Sequence, residues 1–307
     1  MRYAWFLNRF RWIVNYTIII MRHLLERKIM NYKIIADSCC DMTPELKKML
    51  NISIIPLTLT LGETSYTDDD TLNLPDFMRA MKDCTERIGS AAPSPMLYKK
   101  AFEESDSSFA VTLSSRLSGS YNSAVLGRTL AMEEKSTTDI TIFDSKSASA
   151  GEILLVLKIY KLIKAGLQKS KIVTAIEDCI RNMKTYFVLD NIDNLLKNGR
   201  LHKLTGKLIS TLNIKPLMGS DGDGNIALFS HARNATQVLN KLVATIEKSG
   251  KNTTGESVVI THCNNPGLAD KVANEIEKRY RFDKLVVVPT GGLSSVYAND
   301  KGIIMAF

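Results

Sequence analysis

The chain has 307 residues, of which 45% are hydrophobic and 23% are charged. This composition allows a large apolar core and excludes an intrinsically disordered chain, and the length suits about two domains. The net charge is +8, but residues 1–30 carry most of it, because six basic residues there face only Glu26. The rest is mildly basic and has no basic stripe interleaved with aromatic residues, so we expect no nucleic-acid partner.

The cysteines of the chain are Cys39, Cys40, Cys84, Cys179 and Cys263. Their number is odd, two are adjacent and no C-x-x-C pair occurs, which indicates neither a disulfide framework nor a zinc site. Free thiols persist in a reducing compartment. We therefore expect a cytoplasmic protein, and we predict no metal ion and no cofactor.

Residues 1–31 form a basic, hydrophobic extension that differs from the rest of the chain. Its apolar run is broken by Asn15 and closed by Arg22, so it is shorter than the roughly 20 residues of a membrane span, and we expect no stable membrane insertion. It also lacks the cleavage site of a secretory signal. An amphipathic surface helix and a segment that is not native both remain as interpretations. Because Met30 directly precedes a strand pattern, we expect that the start assigned to the chain is too early.

In chain order, the segment 32–183 alternates strand-like and helical patterns. Apolar runs that end in polar residues predict strands at KIIA (33–36), ISIIPLTLTL (52–61), FAVTL (109–113) and ITIF (140–143). Pro56 favours an edge or a bulge in the second strand. Helical spacing follows in TPELKKML (43–50), LPDFMRAMKDC (74–84), the residues after Ser118, and two helices in 151–183 that are split around Gly166.

The segment 184–307 continues the alternation and adds a hairpin. The strand patterns NIKPLM and NIALF are joined by GSDGDG, which is typical of an antiparallel turn. The other predicted elements are a strand at 186–189, a short helix that ends at Gly199, helices near 234–249 and 267–280, and strands at 257–262 and 284–289, after which GIIMAF (302–307) closes the chain. We predict a two-domain α/β fold, with a mostly parallel sheet in 32–183 and a mixed α/β domain in 184–307.

Three predicted strands of the first domain end in similar polar turns, at Asp37-Ser38, Ser114-Ser115 and Asp144-Ser145. The carboxyl ends of parallel strands meet at one edge of a sheet, where ligands commonly bind. The same residue types also cap the helices that follow strands. We therefore expect the three turns to lie together, either as the walls of a ligand site or as helix caps.

The stretch LSSRLSGSYNSA (113–124) is rich in serine, which suits a nucleophile, an anion site or a polar turn. A nucleophile elbow reads G-x-S-x-G, but Arg116 and Leu117 precede Ser118, so that pattern fails. A phosphate loop is absent, and no pattern pairs a histidine with a serine. A serine and a glycine at the start of a helix leave a hydroxyl and backbone N–H groups for a small anion, such as a carboxylate or a phosphate.

Other candidate residues have ordinary structural interpretations as well. Ser90 begins the stiff turn SAAPSP, which alone reads as a loop. Arg233 lies between a strand and a helix, where its guanidinium can meet a phosphate or remain solvated. His262 ends a strand and can reach a crevice or serve in the core. Surface charge is the role that we assign to Lys197 and Arg200.

An ordered set of motifs over residues 32–307 resembles the DegV family. The motifs are DSCCDMTPEL, IIPLTLTLG, SAAPSP, LSSRLSGSYNSA, FDSKSASAG, LLKNGRL and NIKPL. No single motif is decisive, but the set in this order is highly specific. The resemblance implies a two-domain carrier that encloses one long-chain fatty acid in an apolar tunnel. Where a matching kinase exists, such carriers present the carboxylate for phosphorylation to an acyl phosphate.

The resemblance also implies which residues bind the carboxylate. The family's two hydroxyl contacts fall on Ser90, which replaces the commoner threonine, and on Ser118. Its histidine near the C-terminus is replaced by Tyr297, whose hydroxyl can still donate a hydrogen bond. Arg233 falls on the family's arginine for the kinase or the phosphate. Additional ligand contacts are expected at Ser38 and Gly119.

Two other functions remain open at this point. A serine hydrolase or acyltransferase is supported only by the number of serines in polar turns. A regulatory module recruited through the basic extension is supported only by that extension. The fatty-acid carrier is favoured because it agrees with the anion-suited helix start and with the absence of a phosphate loop.

Overall fold

The computed structural model describes residues 32–135, 138–201 and 214–307. The predictions for the extension 1–31 lie outside the described residues. The strands are β1 (Tyr32–Asp37), β2 (Ile52–Ile55), β3 (Thr58–Leu61), β4 (Thr64–Thr67), β5 (Ile88–Ala91), β6 (Ser107–Thr112), β7 (Asp139–Asp144), β8 (Thr185–Val188), β9 (Lys215–Ser220), β10 (Ile226–Ala232), β11 (Ser257–His262), β12 (Lys284–Pro289) and β13 (Ile303–Ala306). The helices are α1 (Pro44–Leu50), α2 (Leu74–Asp83), α3 (Pro95–Glu103), α4 (Ser120–Glu134), α5 (Ala150–Lys164), α6 (Lys169–Asn182), α7 (Asp193–Lys197), α8 (Ala235–Lys248), α9 (Pro266–Arg279) and α10 (Gly292–Ala298).

The first sheet is parallel throughout and has the strand order β2-β1-β6-β7. Successive side chains of a strand point to opposite faces of the sheet. In the central strands, the side chains on both faces are buried. Ile34 and Ala36 pack into one apolar cluster, whereas Ile35 packs into another on the opposite face. The predicted parallel sheet is confirmed.

The second sheet is mixed and has the strand order β10-β9-β8-β13-β11-β12. Strands β11 and β12 run parallel, and the other neighbours run antiparallel. Strands β9 and β10 form the predicted hairpin, and Gly222 and Gly224 adopt the positive φ angles that its turn requires. The mixed α/β character predicted for the second half is confirmed.

Helix α5 lies in the core between the two sheets. Its buried residues include every position from Ala150 to Leu157, as expected of a helix that is apolar on all sides. It packs against β1 and β6 of the parallel sheet and against β11 and β13 of the mixed sheet. The domain boundary near residue 183 therefore stays a prediction, since one helix belongs to the core of both parts. Within the described residues, no helix is long and apolar enough to cross a membrane.

The prediction of one strand over 52–61 is wrong. Strand β2 belongs to the parallel sheet, whereas β3 belongs to a small antiparallel sheet with the order β4-β3-β5. Pro56 separates them, because proline has no N–H for a sheet hydrogen bond. The chain turns at this point, and the N–H of Leu57 donates to Ser38 Oγ at 3.0 Å. The separation of β2 and β3 at Pro56 places β3 in the small sheet, where it pairs with β5 and with its residue Ser90.

Candidate functional site

A cavity of about 120 Å³ is lined by residues of the mixed sheet, the small sheet and α10, and by the turns that follow strands of the parallel sheet. Most of its wall is apolar and includes Leu57, Leu113, Leu117, Phe187, Leu293 and Ile304. Among its described lining residues, the charged ones are Lys146 and Arg200, and none is an aspartate or glutamate. A largely apolar cavity with a positive balance of charge suits an elongated apolar ligand with an anionic end.

Ser90 and Tyr297 meet at this cavity. Ser90 lies on β5 and Tyr297 lies on α10, yet Ser90 Oγ and Tyr297 Oη are 2.8 Å apart. Each hydroxyl carries one hydrogen, and the contact between them uses only one of the two. The pair therefore retains one hydroxyl hydrogen that it can donate to a ligand.

Ser118 lines the same cavity, at the start of α4. Its Oγ accepts a hydrogen bond from the N–H of Ser120 at 3.2 Å, and its own N–H donates to Ser114 O at 3.1 Å. Because Ser118 Oγ accepts from its own helix, its hydroxyl hydrogen points away as a potential donor. The positive end of α4 favours a negative group here. The structure thus brings Ser90, Ser118 and Tyr297 together.

Arg200 lies beside Tyr297 and lines the same cavity. The prediction that Arg200 only contributes surface charge is therefore wrong. Its guanidinium carbon is 5.7 Å from the centre of the Tyr297 ring, and its Nε donates to Leu117 O at 3.2 Å. Helix α7 ends before Gly199, whose φ of 72° turns the chain back, so that Arg200 N–H donates to Leu195 O. The signal in the sequence was the arginine directly after a helix-ending glycine.

The three polar strand ends lie at one edge of the parallel sheet, as predicted, but their polar side chains mainly hold the turns in place. Asp37 is buried and accepts hydrogen bonds from the N–H groups of Cys39 and Leu113. Asp144 accepts from the N–H and the hydroxyl of Ser115. The neighbouring residues line the cavity instead: Cys39, Leu113 and the segment 146–149.

Two predicted ligand contacts do not line the cavity. Ser38 is buried, and its Oγ accepts the hydrogen bond from Leu57 N–H. Gly119 is exposed at the cap of α4, where its carbonyl accepts from Ser123 N–H. Both residues support the backbone around the site, because each satisfies a backbone group of a neighbouring turn.

Arg233 and His262 lie away from the cavity. Arg233 is exposed just before α8, and its N–H donates to Gln237 Oε1 at 2.9 Å. A contact between this arginine and a partner protein therefore stays a prediction. His262 is half-buried at the end of β11, and its Nδ1 accepts from Asn265 N–H at 3.3 Å. Burial lowers its pKa, so the neutral imidazole serves as a structural hydrogen-bond acceptor.

The buried carboxyl groups of Asp37 and Glu152 lie close together, near Cys39 in the cavity wall. Glu152 is fully buried on α5, and its carboxyl oxygens have no hydrogen-bond donor among the described residues. A ligating atom of Glu152 lies within 4.8 Å of one from Asp37 and one from Cys39. Burial raises the pKa of Glu152 well above its usual range and that of Asp37 to about 6. Glu152 therefore keeps its proton over a wider pH range than an exposed glutamate does.

Asp41 makes the stability of the protein depend on pH. Burial raises its pKa from 3.8 to about 7. Its folded pKa lies above its unfolded one, so the unfolded chain loses this proton first as the pH rises. The stabilising effect is complete below about pH 4 and is lost as the pH rises through about 7. We expect the free energy of unfolding to fall by up to about 1.4 kcal/mol per pH unit in this window.

This expectation can be measured by urea unfolding between pH 5 and 8 at constant ionic strength. The matched control is Asp41→Asn, which keeps an oxygen acceptor but does not titrate. The difference between the two proteins isolates Asp41 from other titrating groups. Identical slopes for both proteins would contradict the expectation.

Comparison with known proteins agrees with this fold. Residues 31–306 match the model of a family described as "Uncharacterised protein, DegV family". A DegV domain-containing protein of Streptococcus pyogenes serotype M1 is 35% identical over 280 residues, which cover 91% of this chain and 99% of the relative.

Two solved structures are also similar. A DegV family protein from Ruminococcus gnavus, refined with vaccenic acid, shares 38% identity with a TM-score of 0.86 over 91% of this chain and 100% of its own. The fatty acid kinase (Fak) B3 protein of Streptococcus pneumoniae, loaded with linoleic acid, shares 33% identity with a TM-score of 0.83 over 91% of this chain and 99% of its own. This chain therefore belongs to the DegV family.

Proposed function

We propose that this protein is a non-catalytic, cytoplasmic carrier that binds one long-chain fatty acid in the cavity. The observation that carries the proposal is that Ser118, the Ser90–Tyr297 pair and Arg200 all line one otherwise mainly apolar cavity. The similar proteins from Ruminococcus gnavus and Streptococcus pneumoniae, which hold vaccenic and linoleic acid, support this ligand class.

The hydrogen-bonding capacity of the cavity wall matches a carboxylate. Ser118 offers one hydroxyl hydrogen, and the Ser90–Tyr297 pair offers a second one. A carboxylate has two oxygens and accepts only, so each oxygen can take one of these donors. Arg200 supplies the positive charge, and its planar guanidinium suits a carboxylate better than an ammonium group does. The apolar wall is then left for the acyl chain.

We further propose that the bound carboxylate is presented to a kinase that converts it to an acyl phosphate. The pneumococcal relative is named as a fatty acid kinase protein, which supports a partner of this kind. Arg233 is exposed and does not line the cavity, which supports a contact with a partner rather than with the ligand. Deletion of the side chain by Arg233→Ala should then weaken kinase binding without weakening fatty-acid binding.

A serine hydrolase or acyltransferase has no support from the site. Such an enzyme needs a base that activates the serine. Among its described lining residues the cavity has no histidine, and Ser118 Oγ accepts from Ser120 N–H rather than donating to a base. The carrier interpretation needs only hydrogen bonds and charge, which the site provides.

The carrier proposal is tested by gentle purification followed by lipid extraction and mass spectrometry. We expect about one fatty acid per chain, because the cavity has one set of hydroxyl and guanidinium groups, enough for one carboxylate. Protein without lipid that also takes up none on incubation with a fatty acid would refute the proposal. Stoichiometric labelling by a serine-directed probe would favour an enzyme instead.

Replacement of Ser118 by alanine should weaken fatty-acid binding by about 1.5–3 kcal/mol, or roughly 10- to 150-fold, because a hydrogen bond to a charged group is lost. The measurement is titration of the delipidated protein with a fluorescent fatty acid. Ser123→Ala is the matched control, since Ser123 lies on the same helix but does not line the cavity. Equal affinities for Ser118→Ala and the wild type would remove Ser118 from the site.

A further inference from the structure

The short helix α10 forms a large part of the cavity wall. It has seven residues, of which Leu293, Ser294, Tyr297 and Ala298 line the cavity. The position of the Tyr297 hydroxyl therefore depends on how this helix is oriented. The helix is buried along most of its length, so packing and the hydrogen bonds at its start together fix its orientation.

Two buried carboxylates from the first half of the chain hold the start of α10. Asp68 Oδ1 accepts from Gly292 N–H and Oδ2 accepts from Leu293 N–H, both at 3.0 Å. Asp41 Oδ1 accepts from Gly291 N–H at 2.7 Å. The first N–H groups of a helix have no partner within the helix, so these bonds satisfy them and fix their direction.

Asp68 is itself held rigidly. It follows β4 and is buried, and its N–H donates to Leu57 O at 2.9 Å. A Cβ atom on Gly292 would lie 2.3 Å from Asp68 Oδ1, so only glycine allows the carboxylate to approach this closely. The contact is therefore specific to this pair of residues.

We infer that Asp68 is a positioning residue for the ligand site: it orients α10 so that Tyr297 Oη meets Ser90 Oγ. Asp68 accepts hydrogen bonds from the N–H groups of both Gly292 and Leu293. Two hydrogen bonds fix the direction of the helix start, whereas a single bond would let the helix rotate about it. Tyr297 follows Leu293 by one helical turn, so a tilt at the start of α10 moves its hydroxyl directly. Asp68 does not line the cavity, and it acts on the ligand only through the helix. The effect on ligand affinity rests on the proposed fatty-acid binding.

The test is a double-mutant cycle that uses cis-parinaric acid as the fluorescent probe. Asp68→Ala removes both bonds and should weaken binding about tenfold or more, as expected for coupled residues. Asp68→Asn keeps one oxygen acceptor and should recover part of that loss. In a Tyr297→Phe background, Asp68→Ala should cause less than about a twofold further change. Asp70→Ala is the control, because Asp70 is exposed and pairs with Lys47.

A second measurement detects a change in the surroundings of Tyr297 on α10 and needs no ligand. With 13C-labelled tyrosine, the NMR signal of Tyr297, assigned through Tyr297→Phe, should shift in Asp68→Asn and Asp68→Ala but not in Asp70→Ala. An unchanged signal, or an equal loss of affinity with and without the Tyr297→Phe substitution, would overturn the inference. If Asp68→Ala does not fold, Asp68→Asn carries both measurements.

The two proposals fail in different ways. A wild-type protein that binds no fatty acid refutes the carrier function, while the NMR shift still decides the role of Asp68. A wild-type protein that binds, combined with an Asp68→Ala variant of unchanged affinity, refutes the positioning role alone.

Discussion

Replacement of Ala148 by phenylalanine is expected to abolish fatty-acid binding while leaving the protein folded. Ala148 lies in the cavity wall and packs against the apolar cluster that includes Leu57, Leu113 and Leu293. A phenyl ring at this position enters the space that the acyl chain would occupy, and a steric clash of this kind excludes the ligand. Extra volume normally strains a packed core, but here the cavity offers room for it.

The Ala148→Phe variant is examined in two measurements. Lipid extraction should yield no fatty acid, and titration of the delipidated protein should show no measurable binding. Thermal unfolding of the delipidated variant should match or exceed that of the delipidated wild type. Ala235→Phe is the control, because Ala235 is exposed on α8 and does not line the cavity. Near-normal affinity for Ala148→Phe would show that the acyl chain lies elsewhere.

Reversal of the charge at Arg200 should weaken binding by about 300-fold or more. Truncation of one partner of a hydrogen-bonded charge pair costs about 2–5 kcal/mol, and Arg200→Glu adds repulsion to that loss. Lys197→Glu is the matched control, since Lys197 is exposed on α7 three residues away and does not line the cavity. It makes the same change in net charge, so it removes long-range effects from the comparison.

The effect of Arg200 can be separated from damage to the fold. Arg200→Gln keeps a donor for Leu117 O but loses the charge. This variant should bind a fatty acid more weakly but a fatty alcohol of the same length nearly as well as the wild type does. Equal weakening for the acid and the alcohol would assign the role of Arg200 to structure rather than to charge.

The main strands and helices could be predicted because each is an apolar run or a helical pattern with clear ends. Strand β6 and helix α5 are of this kind. Strand β4 gives no such signal, since TSYT is mostly exposed and has no alternation of buried residues. Helix α10 was missed because its glycines and serines resemble a loop, and its start is stabilised by Asp41 and Asp68 from far away in the chain. No local pattern contains such contacts.

The candidate site was only partly predictable for the same reason. Ser90 and Ser118 come from the resemblance to a family, and the structure brings them to one cavity together with Tyr297. Arg200 contacts Leu117, which lies 83 positions earlier in the chain. The helix pattern before Gly199 predicts where the helix ends but not which distant carbonyl the following residue will meet.

The placement of α5 between the parallel and the mixed sheet joins the two halves of the protein into one shared core. Because this helix contributes buried apolar surface to both sheets, neither half can lose its structure without exposing the core of the other. A ligand that binds only the folded state stabilises it by mass action, in proportion to the logarithm of its free concentration over its Kd. If the proposed acyl chain binds in the cavity, it stabilises all of this shared core, and we expect the loaded protein to unfold at a higher temperature than the empty one.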